Sequence, residues 1–264
     1  MDLAYAASQG GHHGGEANIG DVILHHVLDT KLLNINIFGI DLSITKHVLM
    51  MWIAASLVIF VFRYAFLQYH MIPSGVGNLL EAIVVFLRDE VVLPNLGEAG
   101  RPYLPYLLTV FFFILFCNLL GLIPFAATAT GNVSVTAALA IMSLVMIQVG
   151  GIREHGLKHH LQNLIPHGIP SWLLPIMIPV EIIGQFTKPF ALCIRLFANM
   201  TAGHIVILSF LSMIFILKSI FVSPISVFFA LFISLLELFV AFLQAYIFTM
   251  LTSLFIGMSI HPQH

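Results

Sequence analysis

From Ile225 to Ile260 the chain runs for 36 residues with one charged side chain, Glu237, and no proline. As a helix this stretch measures about 54 Å at 1.5 Å per residue, against a bilayer hydrocarbon core about 30 Å thick. A single helix confined to that core would tilt by roughly 55°, beyond the usual 0–40°. It must therefore either lie strongly inclined or break. Trp172 to Leu217 is a second long apolar stretch, in which Pro175, Pro179 and Pro189 allow kinks. The two join near Lys218 to Pro224, so the sequence predicts a long, inclined, antiparallel hairpin.

The rest of the chain agrees with a lipid solvent. Only 8% of the residues are charged, and mean hydropathy is +1.03. A soluble domain would carry roughly 25% charged residues to keep its surface wet. Three shorter runs each reach the length of about 20 residues that a span requires: 47–67, 103–125 and 133–152. Arg63 can snorkel from near the end of the first. Pro124 and the polar run Thr128 to Asn132 stop the second, and Gly150 with Gly151 closes the third.

Residues 75–93 differ. Val76, Leu79, Leu80, Ile83, Val84, Leu87 and Val91 follow helical spacing, while Asn78, Glu81, Arg88 and Asp89 fall mostly elsewhere on the wheel. That pattern suits a helix in the headgroup region, or else a short helix packed on the protein's own loops. The predicted fold is thus an all-α polytopic membrane protein with about five membrane helices (47–67, 103–125, 133–152, 172–217 and 225–260). One interfacial amphipathic helix is added to these. Residues 1–46 form an extramembrane segment and 47–264 a single membrane domain.

Loop charges set the orientation. Arg88, Arg101, Arg153 and Lys158 fall on one side with Arg63 at its edge, and Lys31, Lys46 and Lys218 on the other. The positive-inside tendency then places the N-terminus outside and the C-terminus in the cytoplasm. Residues 1–29 carry Asp2, Glu16, Asp21 and Asp29 but no lysine or arginine, unlike a signal or transit peptide. His12, His13, His25 and His26 read as polar residues of that segment rather than as metal ligands. The cluster from Arg153 to His160 reads as a solvated loop. Cys117 and Cys193 lie inside apolar runs and read as free buried thiols. A net charge of −2 gives no basic patch for nucleic acid.

Ionisable groups inside spans cost several kcal/mol each and mark function. The first long stretch holds Glu181, Lys188, Arg195 and His204, with Gln185 and Asn199; the second holds Glu237 and Gln244. Arg195 and Asn199 are one turn apart on a shared face, and Glu237 and Gln244 two turns apart. In an antiparallel hairpin, residues at equal depth have numbers with a constant sum. The pairs His204 with Glu237 and Arg195 with Gln244 both centre on residue 220, in the predicted turn. Histidine and glutamate titrate nearest neutral pH and can pass protons along a water-filled path. Arginine stays charged, so it blocks a proton wire and favours an ionised carboxylate beside it. Blander readings stand beside these: Arg195 as a structural charge paired with Glu181 or Glu237, His204 bonded to a carbonyl, and Lys188 snorkelling to the interface.

The run from Lys188 to His204, containing Arg195-Leu196-Phe197-Ala198-Asn199-Met200, resembles subunit a of the rotary F-type ATP synthase, and Leu243 to Phe248 resembles that family's second signature. The resemblance covers roughly residues 40 to 260. It implies that Arg195 is the essential stator charge, with Asn199 and Gln244 its polar neighbours. His204 and Glu237 become the relay of an outer half-channel, and Glu181, Gln185 and Lys188 line an inner one. Some members carry the acid first and the histidine second; here the order is reversed, which keeps both groups at one depth. The implied partners are the c-ring, peripheral-stalk b subunits and the lipid bilayer, within a whole F-type ATP synthase. The subunit would conduct protons without being a catalyst by itself, and would need no cofactor or metal. The implied location is a bacterial inner membrane, or alternatively a mitochondrial one. Two other classes compete, a self-contained proton-coupled transporter and a membrane metalloenzyme. Neither an internal repeat nor a third converging ligand is evident for them.

Overall fold

The computed structural model describes residues 31–33, 36–37, 40–41, 44–66, 75–123, 128–163, 174–217 and 222–261. Two short antiparallel pairings come first. Strand β1 (Lys31–Leu33) pairs with β4 (Ile44–Thr45), and β2 (Asn36–Ile37) with β3 (Ile40–Asp41), one hairpin nested within the other. Among the described residues, the elements after them are all helical. In chain order these are α1 (Lys46–Phe66), α2 (Val76–Phe86), α3 (Leu93–Leu96), α4 (Leu104–Gly121), α5 (Val133–Asn163), α6 (Leu174–Leu217) and α7 (Val222–Ile260). Among the described residues five helices, α1 and α4 to α7, are long and apolar enough to cross a membrane. The protein is an all-α polytopic membrane protein.

The last two helices are unbroken. Helix α6 runs for 44 residues with Pro179 and Pro189 inside it, and α7 for 39. At 1.5 Å per residue both far exceed a hydrocarbon core of about 30 Å, so staying within it requires strong inclination. Their contacts run in opposite directions along the chain. Lys188 meets Phe255, Asn199 meets Gln244, and the Phe210 and Phe229 rings stack with centroids 5.6 Å apart. The hairpin is antiparallel throughout.

Helix α4 sits at the centre because it is apolar on every side, which suits a helix surrounded by others. Its Val110, Phe111 and Ile114 share one buried cluster with Leu192 of α6 and Ala245 and Phe248 of α7. Helix α1 leans on it through the Phe62 and Phe112 rings, edge to face at 4.8 Å. On the far side the hairpin is bare. Leu231, Leu235 and Phe239 of α7 are about two-thirds exposed at 69%, 66% and 63%. Such a stripe would be untenable in water, whereas acyl chains or an apolar partner cover it without penalty.

Two sequence expectations change. The third span does not end at Gly150 and Gly151: α5 continues to Asn163, and its one break is Gly156, at φ +75°. Gly150 lies inside the helix, where a Cβ would meet Ile256 and the Tyr103 hydroxyl at ordinary contact distances of 3.4 and 3.5 Å. The 75–93 segment is not one α-helix either. After α2, residues Leu87–Val92 widen into a π-helical turn before α3. The carbonyl of Val91 accepts bonds from Asn95 Nδ2 at 2.7 Å and from Ser253 Oγ of α7 at 3.3 Å. Its apolar strip (Leu80, Leu87, Val91) is buried against α4 and α7, while Val76, Leu79 and Phe86 stay exposed. The charged side carries Arg88, bonded to Asp89 at 2.7 and 3.1 Å.

The tightest helix approach is between α7 and this segment, where a Cβ on Gly257 would strike the backbone carbonyl of Asn95. A backbone atom cannot swing aside. Gly257→Val should therefore cost about 1–3 kcal/mol by overpacking and lower the thermal midpoint of the detergent-solubilised protein. Gly184→Ala, with nothing within 4 Å of the new carbon, should leave that midpoint unchanged or slightly raised.

Candidate functional site

Leu192, Cys193, Leu196 and Met200 are buried, and they fix the face that α6 turns toward the bundle. At about 100° per residue, Asn199 lies about 20° from Leu192 around the wheel and Arg195 about 60°, on the same side. Asn199 consequently meets the seam with α7, and its Nδ2 donates to Gln244 Oε1 at 2.9 Å. Gln244 is buried, and its own amide nitrogen has no hydrogen-bond partner among the described residues. Arg195 stands at the edge of the seam and is exposed, beside exposed Ile194 and Phe190. Ion pairs among the described residues lie outside the spans, at Arg88–Asp89 and Arg101–Glu98, so no carboxylate is found on Arg195 there.

This differs from the arrangement expected from depth alone, which set Gln244 beside the guanidinium. Gln244 instead bonds Asn199, one turn further along. Depth in a hairpin is fixed by counting residues, but rotation about the helix axis decides which side chain of a turn enters the seam. Nor does Glu237 pair with Arg195. The side chain of Glu181 lies outside the described residues, as do His12, His13, His25, His26, His159 and His160.

Glu237 is 3% exposed, and neither carboxyl oxygen has a hydrogen-bond partner among the described residues. It packs over Gly203: a Cβ on that glycine would lie 2.5 Å from Oε1 and 2.8 Å from Cδ. His204, the next residue, turns its ring away toward the turn that precedes α5, where Nε2 shares a hydrogen bond with the Thr128 hydroxyl. The imidazole and the carboxyl therefore lie in one layer, on two sides of a glycine, without bonding each other directly. A buried carboxyl lacking partners is costly when ionised. It is chemically suited to gaining and losing a proton, which a guanidinium cannot do.

A second polar group lies on the other side of Arg195, toward the start of α6. Gln185 accepts a hydrogen bond from Gln148 of α5, and the Lys188 ammonium sits 5.1 Å from the Phe255 ring centroid in a cation–π contact. A cavity of about 530 Å³ opens here, with Thr187, Lys188 and Arg195 among its lining and Leu251 and Phe255 opposite. One cavity thus reaches Arg195 from this end, while His204 and Glu237 lie beyond Arg195 at the other. Among the described residues no three His, Cys, Asp or Glu side chains converge.

Several polar residues of this layer escaped the sequence reading. Asn118 of α4 donates to the Ala241 carbonyl at 3.3 Å and accepts from Thr130 Oγ1 at 2.8 Å; His47 of α1 donates from Nδ1 to the Thr128 carbonyl at 2.9 Å. Asn118 and Gln148 are amides inside otherwise apolar spans, and that cost was a readable signal. Thr128 and Thr130 gave none, because they look like ordinary loop residues. Asn199→Leu should leave Gln244 buried with neither end bonded and cost about 1–3 kcal/mol, read as a lower thermal midpoint in detergent.

The family described as ATP synthase A chain matches residues 48–257. An "ATP synthase subunit a 2" from Prosthecochloris aestuarii is 50% identical across 98% of this chain and 85% of its own length. An "ATP synthase subunit a" from Chlorobium phaeobacteroides is 48% identical across 99% and 84%. Another of that name, from Myxococcus xanthus, is 54% identical across 85% and 75%.

Proposed function

Given that the chain belongs to the ATP synthase A chain family, we propose that it is the proton-conducting stator subunit of a rotary F-type ATP synthase in a bacterial membrane. It is a membrane subunit of that complex's proton-translocating sector, and it is not a catalyst on its own. The observation that carries the finer reading is Arg195. It is a permanent cation exposed at the edge of the seam between two membrane helices, beside exposed Ile194 and Phe190, with no carboxylate of the described residues to neutralise it. A charge so placed is costly in lipid unless a partner supplies the counter-charge. A ring of c subunits, each presenting a carboxyl, supplies that charge and an apolar surface for Leu231, Leu235 and Phe239. A self-contained transporter has no use for a cation facing outward.

The cycle follows from these placements. A proton enters from the outer side through His204, Glu237 and Asn199 and neutralises a ring carboxylate. The neutral carboxyl can face lipid, because the desolvation penalty belongs to its charged form. After nearly a full turn it reaches the opposite side of Arg195, whose charge favours the ionised carboxylate, and gives up its proton. That proton leaves through the inner path, to which Glu181, Gln185 and Lys188 are assigned, and the cavity lined by Lys188 and Arg195 supports that route. Gln244, braced by Asn199, limits how far the polar seam can shift beside the arginine. Each charge moved is worth about 2.3 kcal/mol per 100 mV, and the barrier at Arg195 makes rotation the only route between the two paths. In this reading the N-terminus lies outside and the C-terminus in the cytoplasm, and peripheral-stalk b subunits hold the subunit against the torque.

Arg195→Ala should abolish proton-driven ATP synthesis in membrane vesicles while the subunit stays present at normal abundance; ordinary synthesis rates would remove the central assignment. Glu237→Gln should slow proton passage more than it lowers subunit abundance. Exchanging His204 and Glu237 should retain more synthesis than either single replacement by alanine, and an additive loss would count against a shared channel.

A further inference from the structure

Thr128 touches two histidines at once. Its hydroxyl shares a hydrogen bond with His204 Nε2, and its backbone carbonyl accepts from His47 Nδ1 at 2.9 Å. All three residues lie in the protein interior: Thr128 is 4% exposed, His47 is 6% exposed, and His204 is half-buried. The side chain of Thr128 lies directly on Gly121, where a Cβ would sit 2.9 Å from Thr128 Cβ and closer still to its hydroxyl and methyl. A glycine at the end of α4 thus leaves the space that the threonine fills.

We propose that Thr128 is a positioning residue for proton uptake, holding His204 in place in both its neutral and its protonated state, and that His47 and Gly121 hold Thr128. The inference rests on the reading of His204 as part of the outer path. Its physical basis is the two-sided chemistry of a hydroxyl. Toward a neutral Nε2 the threonine O–H donates; toward a protonated Nε2–H the same oxygen accepts. No rotation of the ring is needed as the proton arrives and departs. A carbonyl could serve only the protonated nitrogen, and an amide would have to turn over.

The bond from His47 fixes the other side of Thr128: a carbonyl accepts only from N–H, so Nδ1 of His47 carries the hydrogen that anchors it. Among the described residues the other titratable or charged groups on the elements packed around this layer are Lys46 of α1, Cys117 of α4, Glu237 of α7, and Cys193 and Arg195 of α6 itself. Asn118, Thr130 and Asn199 are the neutral polar groups there.

The test compares Thr128→Val with Thr128→Ser in the complete synthase in native membrane vesicles. Proton-driven ATP synthesis is followed against the pH of the proton-supplying side, and subunit abundance is measured in parallel. Valine keeps the shape over Gly121 and loses the hydroxyl; serine keeps the hydroxyl. Expected are a loss of about tenfold for valine and a change within about twofold for serine, at equal abundance. The valine profile should also move toward lower pH, because an imidazolium without its acceptor is costlier to bury. Thr128→Ala serves as the hydroxyl-free variant if valine fails to insert. Unchanged rate and profile in the hydroxyl-free variant would overturn the proposal, as would valine and serine falling together or activity that merely follows abundance. Loss of the underlying channel reading has a separate mark: His204→Ala with undiminished synthesis.

Discussion

The seam between α6 and α7 carries polar groups in a medium that offers them no water, and the rest of the molecule is arranged around that cost. Asn199 and Gln244 bond each other across it, and His204 reaches sideways to Thr128. Glu237 stays buried with both oxygens unbonded among the described residues, and Arg195 faces outward. Each arrangement has a different physical status. The amide pair is bonded across the seam while the Gln244 amide nitrogen stays unbonded among the described residues, the histidine is bonded to a hydroxyl, and the carboxyl is suited to exchange. The cation has no carboxylate partner among the described residues. Under the proposed reading these are the parts a rotary stator requires: two proton paths with a fixed charge between them.

Small residues make the seam possible. Gly203 lets the Glu237 carboxyl lie against the backbone of α6, and Gly121 lets Thr128 lie against the end of α4. In both cases a missing Cβ on one helix is matched by a polar side chain from a neighbouring segment. Such contacts hold a polar group at a set depth more firmly than a flexible side chain could. Ala241 and Ala245 of α7, fully buried, extend the same principle along that helix. Large apolar side chains fill the bundle beside them, as at Leu192, Leu196 and Phe248, and also form the outer stripe of Leu231, Leu235 and Phe239.

The sequence by itself determined the class of the protein, the number of its long apolar helices, and the residues to which the proposed function assigns its chemistry. Hydrocarbon thickness sets a minimum length for a span, and charge inside a span is so costly that Arg195, His204 and Glu237 were conspicuous against 59% apolar composition. Counting along an antiparallel hairpin also gave the depth of each group, because the rise per residue is nearly constant. Only the tertiary structure decided the partners. Whether Gln244 meets Arg195 or Asn199 depends on a few tens of degrees of rotation about a helix axis, which is set by how Leu192, Leu196 and Met200 pack into the bundle. Thr128 and His47 gained their places because chain segments far apart in sequence converge on one buried layer, and no local pattern records that convergence.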